Sequence, residues 1–134
     1  MSDLLRDRLL SASAGLLFST ESDRPFEFIR LGARDPISAV MPARIAELVG
    51  QPAAHAAEWP FERFLARHID RVDPLDHRAR ELTPRYEDLE SALRQSLGAV
   101  RVFRIGKVEI AVLAIGNDPE TGELAGLSTV AVET

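Results

Sequence analysis

The six residues Ile110-Ala111-Val112-Leu113-Ala114-Ile115 are apolar without a break. Side chains of a strand alternate between the two faces of its sheet, so this run needs hydrophobic cover above and below. Around it the pattern keeps a period of two from residue 100 onward. Gly106-Lys107 separates residues 100–105 from 108–115 as a two-residue link with glycine first. That order is the signature of a type II′ hairpin and predicts two antiparallel neighbours. A turn over 116–123 leads to a third strand over 124–132, completing an antiparallel meander.

The cover for this sheet has to come from the preceding residues. Leu5, Leu9, Ala12 and Leu16 recur at helical spacing over 2–17, with Ser2 or Asp3 able to cap the start. Residues 19–25 are polar and end in Pro25, which cannot donate to a ladder, so a loop is expected, followed by a strand over 26–31. A short helix fits 43–49 ahead of Gly50, residues 51–58 favour neither state, and Pro60 opens a helix carrying Phe61, Phe64 and Leu65. Residues 70–77 read as an exposed loop. The longest helix is expected over 84–97, with Thr83 as cap, Pro84 in the first position and Gly98 at the end; Tyr86, Leu89, Leu93 and Leu97 form its buried stripe. The expected fold is α/β, a single-domain three-layer α/β/α sandwich over residues 1–134, helix-strand-helices followed by the meander.

One core is the natural outcome at 134 residues. The absence of cysteine excludes disulfides, thiolate zinc sites and thiol nucleophiles. Sixteen basic against 21 acidic residues give a net charge of −5, which argues against direct, sequence-independent binding to nucleic acid. Residues 1–108 carry 16 charges of each sign, so the excess lies entirely in Glu109, Asp118, Glu120, Glu123 and Glu133. Asp3, Arg6, Asp7 and Arg8 interrupt any apolar run at the start. Neither a targeting nor a membrane segment is expected, and the expected location is cytoplasmic.

Motifs for chemistry are sparse. His55, His68 and His77 lack any paired metal-ligand spacing, and Asp70, Asp73 and Asp76 do not follow the order of a calcium loop. Ser128 sits outside a nucleophile elbow, so no catalytic residue and no intrinsic metal or cofactor is expected. A small hydrolase using Glu109 or the 70–77 loop would require the chain to bind a metal itself. Two features stand out. Glu21 lies among small hydroxylated residues, Ser22 among them, in a loop between helix and strand, where binding residues concentrate. At the other end the strand pattern runs into Glu133-Thr134 and stops, so an ordered terminus presents a hydroxyl and carboxylates, the ligands that Mg²⁺ prefers.

Three blocks carry a resemblance: Ser19-Thr20-Glu21-Ser22-Asp23-Arg24-Pro25-Phe26 with its flanks over 13–27, Val102-Phe103-Arg104-Ile105-Gly106-Lys107-Val108, and Gly126-Leu127-Ser128-Thr129-Val130-Ala131-Val132-Glu133-Thr134. Together with the helix around Leu89, they make the chain resemble the nuclease A inhibitor family over essentially its whole length, most faintly between residues 33 and 81. The resemblance implies an α/β/α protein that blocks a Mg²⁺-dependent, sugar-non-specific DNA/RNA endonuclease of the ββα-metal type. It implies that Glu21 imitates the scissile phosphate and that Thr134 reaches the partner's Mg²⁺, with Ser22 and Glu133 beside them. Asp73 matches the aspartate of a second contact loop, whereas Pro74 stands where the family has a tryptophan. The alternative reading is an interaction or chaperone-like module for a different partner on the same scaffold.

Overall fold

The computed structural model describes residues 3–134, so the proposed Ser2 cap lies outside the described residues. Helix α1 (Leu4–Ser13) is capped by Asp3, whose carboxylate accepts the Arg6 N–H at 3.1 Å. A hairpin of β1 (Leu17–Ser19) and β2 (Asp23–Pro25) follows, then β3 (Glu27–Arg30) and α2 (Pro42–Leu48). A 3₁₀ turn at Ala53–His55 precedes β4 (Ala56–Trp59), and the short helices α3 (Phe61–Phe64) and α4 (Ala66–Ile69) lead to the long α5 (His77–Leu97). Strands β5 (Arg101–Ile105), β6 (Glu109–Asn117) and β7 (Leu124–Val132) close the chain.

The meander is antiparallel as expected and forms the centre of a five-stranded sheet ordered β3-β7-β6-β5-β4. Alternation along β6 explains why its apolar run is unbroken. Ile110, Val112 and Ala114 pack with Leu5, Leu9, Leu89 and Leu93 of α1 and α5, whereas Leu113 and Ile115 join Ile37, Val40, Ile45 and Phe103 in a second cluster. Leu89, Leu93, Leu113 and Ile115 are at most 1% exposed; truncating any of them to alanine removes about 2–5 kcal/mol.

Several boundaries differ from the sequence reading, each for a physical reason. The polar stretch 19–25 is not a loop throughout: Ser19 pairs with Asp23 and Leu17 with Pro25, and Pro25 is tolerated because it ends an edge strand. Residues 51–58 resolve into the 3₁₀ turn and β4, because β5 offers Ala56–Trp59 a ladder that alanine's weak intrinsic preference could not announce. Helix α5 begins at His77 rather than at Pro84. Asp76 caps it by accepting the Ala79 N–H at 3.0 Å, and Pro84 sits on its exposed face, leaving the Arg80 carbonyl without its helical donor.

The type II′ turn is also absent. Ile105 pairs with Ala111 instead of Val108, so residues 106–110 all intervene, and Glu109 and Ile110 pair only with β7. Gly106 has φ 129°, and a Cβ there would drive into the Glu109 carbonyl oxygen. Only glycine fits this wider connection.

Candidate functional site

With Ser19 paired to Asp23, the hairpin tip consists of Thr20, Glu21 and Ser22. None of the three has positive φ, and within the tip the Thr20 N–H donates to the Ser22 carbonyl at 2.8 Å. The end of β7 fastens the tip from outside. The Val132 N–H donates to Thr20 Oγ1 at 2.9 Å, and the Glu21 N–H donates to the Val132 carbonyl at 3.3 Å.

Beyond β7 the chain turns onto the Glu21 side chain itself. Thr134 donates its N–H to Glu21 Oε2 at 2.6 Å and its hydroxyl to Glu21 Oε1 at 2.8 Å. Both residues are exposed, so a carboxylate is held in place at the surface by two donors that bring no compensating charge. The Thr134 hydroxyl, donating its hydrogen bond to Glu21, still has its lone pairs as acceptors. Ser22 is half-buried, and its Oγ has no hydrogen-bond partner among the described residues.

Glu133 points elsewhere. Its Oε1 lies 2.6 Å from Arg104 Nη2, an ion pair whose angle falls outside that of a hydrogen bond, and its N–H donates to the Val108 carbonyl at 2.9 Å. Most of the C-terminal acid excess is neutralised in the same way. Asp118 and Glu123 both pair with Arg30, at 2.8 and 3.1 Å, and Glu109 lies 3.7 Å from Arg24. Glu120 has no ion pair among the described residues, nor does Glu21. Of the five acids that make up the excess, four are therefore ion-paired, while Glu21 at the tip keeps its charge without an ion-pair partner among the described residues.

Asp73 and Pro74 are not brought to this cluster by any hydrogen bond among the described residues. Asp73 accepts the Leu75 N–H at 2.9 Å within its own turn, and the Pro74 carbonyl accepts from Arg80 at 3.2 Å. Asp76 is occupied as the α5 cap. Among the described residues, no three His, Cys, Asp or Glu side chains form a group able to hold a metal. No helix among them is long and apolar enough to cross a membrane.

The base of the hairpin is gripped by residues that sequence reasoning did not assign to the site. Tyr86 of α5 accepts the Leu17 N–H at 3.2 Å and donates to the Leu17 carbonyl. Its ring stacks on His68, with centroids 4.0 Å apart, and His68 Nε2 accepts the Ser19 N–H at 3.3 Å. Arg67 donates to the Ser19 carbonyl. Burial, reinforced by Arg67 and opposed by Asp23, holds the His68 imidazole down at about 4, which keeps Nε2 free to accept.

A pH dependence follows. The unfolded chain binds a proton at His68 near pH 6.5 and the folded chain resists it to about 4. Stability is therefore complete above that window and declines as pH falls through it. Hydrogen exchange of the Ser19 amide, divided by its intrinsic rate, which itself slows on acidification, is expected to rise on going from pH 6.5 to 4, and His68→Gln should abolish that excess. An excess that persists in the variant would remove His68 from the hairpin clamp.

A family model described as nuclease A inhibitor-like protein matches residues 3–134. The chain belongs to the nuclease A inhibitor-like family. No curated protein matches it closely. In this nuclease A inhibitor-like chain the matched span contains the whole of the tip, β7 and Thr134, as well as the loop of Asp73 and Pro74.

Proposed function

We propose that the chain is a proteinaceous inhibitor, not an enzyme, and that it occupies the active site of a Mg²⁺-dependent, sugar-non-specific DNA/RNA endonuclease of the ββα-metal type. Family membership supports the inhibitory class. The observation that carries the mechanism is the Glu21 carboxylate fastened by the Thr134 amide and hydroxyl. A nuclease site holds a polyanion over a cation. A fixed, exposed carboxylate competes for that field as a phosphate mimic, while the Thr134 oxygen is of the hard type that Mg²⁺ takes. In this reading the metal belongs to the partner and the chain carries no cofactor of its own.

The scaffold is a three-layer α/β/α arrangement, supported by the two separate hydrophobic clusters on either side of the sheet. It gives the tip a rigid base, which limits the freedom lost on docking. Ser22 and Glu133 flank the plug. Asp73 and Pro74 form a second contact loop, both of them exposed as Glu21 is. Pro74 brings no aromatic anchor, and such anchors often dominate interface energy. That favours a second reading at this loop alone, in which the scaffold serves as an interaction or chaperone-like module for a different partner.

The deciding experiment follows DNA cleavage by a ββα-metal nuclease in the presence of rising concentrations of the chain. Stoichiometric loss of cleavage with a 1:1 complex on gel filtration is expected. Full cleavage in excess chain, with another protein recovered on affinity capture, would establish the interaction-module reading in its place.

A further inference from the structure

We propose that the cleft beside the hairpin tip binds a nucleoside phosphate, its phosphate on a cluster of arginines and its flat ring against an aromatic wall. The cleft has a volume of about 560 Å³. Small-molecule sites occupy roughly 300–1,000 Å³. Arg63 of α3, Arg67 of α4, Arg71 just beyond it and Arg104 of β5 line it, against one carboxylate, Glu133. In a chain whose net charge is −5, this is a locally cationic concavity, and field lines concentrate in such a place.

Three observations point to an anion with a planar body. Arg63 and Arg71 make no ion pair among the described residues, so their charge is available to a ligand. Arg104 is 14% exposed and ion-paired to Glu133 at 2.6 Å, which fixes its guanidinium as part of the cleft wall. Its guanidinium lies 3.9 Å from the Trp59 ring centroid, with Arg63 at 6.0 Å from the same ring. Guanidinium groups held flat by stacking lose less freedom when they fork onto a phosphate. Part-exposed Trp59 supplies the aromatic wall, and Phe18 and Phe64, 7% and 3% exposed, form the apolar floor beneath it. All four arginines line one cleft of about 560 Å³, a size that suits one nucleotide better than a strand.

The inference stands apart from inhibition and is tested on the free protein. Adenosine 5′-monophosphate, adenosine and inorganic phosphate are titrated separately into ¹⁵N-labelled chain at physiological salt, following the amides of Arg63, Arg67, Arg71, Arg104 and Glu133. The monophosphate is expected to bind at least about tenfold more tightly than either fragment, and Arg63→Gln and Arg71→Gln, both at exposed positions, to weaken it at least about fivefold each. No saturable shifts up to about 10 mM monophosphate, phosphate alone binding as tightly, or unchanged affinity in both variants would each overturn the proposal.

Discussion

Replacing Thr134 by valine is expected to weaken inhibition of a cognate nuclease by about 30-fold or more, the scale of an interface hot spot near 2 kcal/mol. Valine keeps the shape and the backbone N–H that donates to Glu21 Oε2, and removes only the hydroxyl at 2.8 Å from Oε1. Serine restores that hydroxyl and is expected to recover most of the inhibition. Thr134 is exposed, so the melting temperature should hardly move. Glu21→Gln extends the test to charge: it preserves the outline of the side chain and removes the anion. The loss should again be about 30-fold or more, with an association rate less sensitive to salt. Since the two side chains touch, the double variant is expected to lose less than the sum of the singles. Wild-type inhibition by either Thr134→Val or Glu21→Gln would sink the phosphate-mimic mechanism while leaving the family assignment intact.

The second large effect is on stability. Gly126→Ala is expected to cost about 3 kcal/mol or more, at the upper end of overpacking penalties. Gly126 lies on β7 opposite Ile115, and a Cβ there would collide with the Ala114 carbonyl oxygen on β6 and press to 3.0 Å from its carbon. Neither group yields easily, since both are main chain in the middle of the sheet. Urea denaturation should show the midpoint falling with an unchanged slope, and the melting temperature should drop by roughly 10 °C or more. Inhibition should fall as well, because β7 holds the tip through Val132 and leads to Thr134. A variant with wild-type stability would mean that β6 and β7 do not approach as closely as Gly126 implies.

Where the signal was local, it was legible in the sequence. The stripe of Tyr86, Leu89, Leu93 and Leu97 is buried as its spacing required, and the period of two found β5, β6 and β7. Signals that failed were overridden by partners distant in sequence. Pro84 followed a residue fit to cap a helix, yet Asp76 caps the actual start, and before the proline Leu82 packs on the core and Thr83 donates to the His68 carbonyl at 3.0 Å. Residues 106–107 matched a tight turn, but residues 109 and 110 are claimed by β7. Glu21 and Thr134 could each be singled out, one from its loop and one from its position. Their mutual hydrogen bonds could not be, because a separation of 113 residues leaves no periodicity to read. The grip of His68 and Tyr86 on the hairpin was hidden for the same reason.

The strand order also has a consequence for synthesis. Strand β3 has one neighbour in the sheet, β7, and the tip is fastened to the end of that same strand. Phe28 must therefore wait for Leu127, which at about 5–20 residues per second emerges several seconds or more later. Until then β3 has no partner in the sheet and the tip lacks its fastening to Val132 and Thr134, although Tyr86 and His68 are already available to grip the hairpin. The nascent chain therefore lacks the contact between Glu21 and Thr134 until Thr134 itself is made. It also exposes the unpaired edge of β3 for that interval, the kind of exposure that makes incomplete chains prone to aggregate.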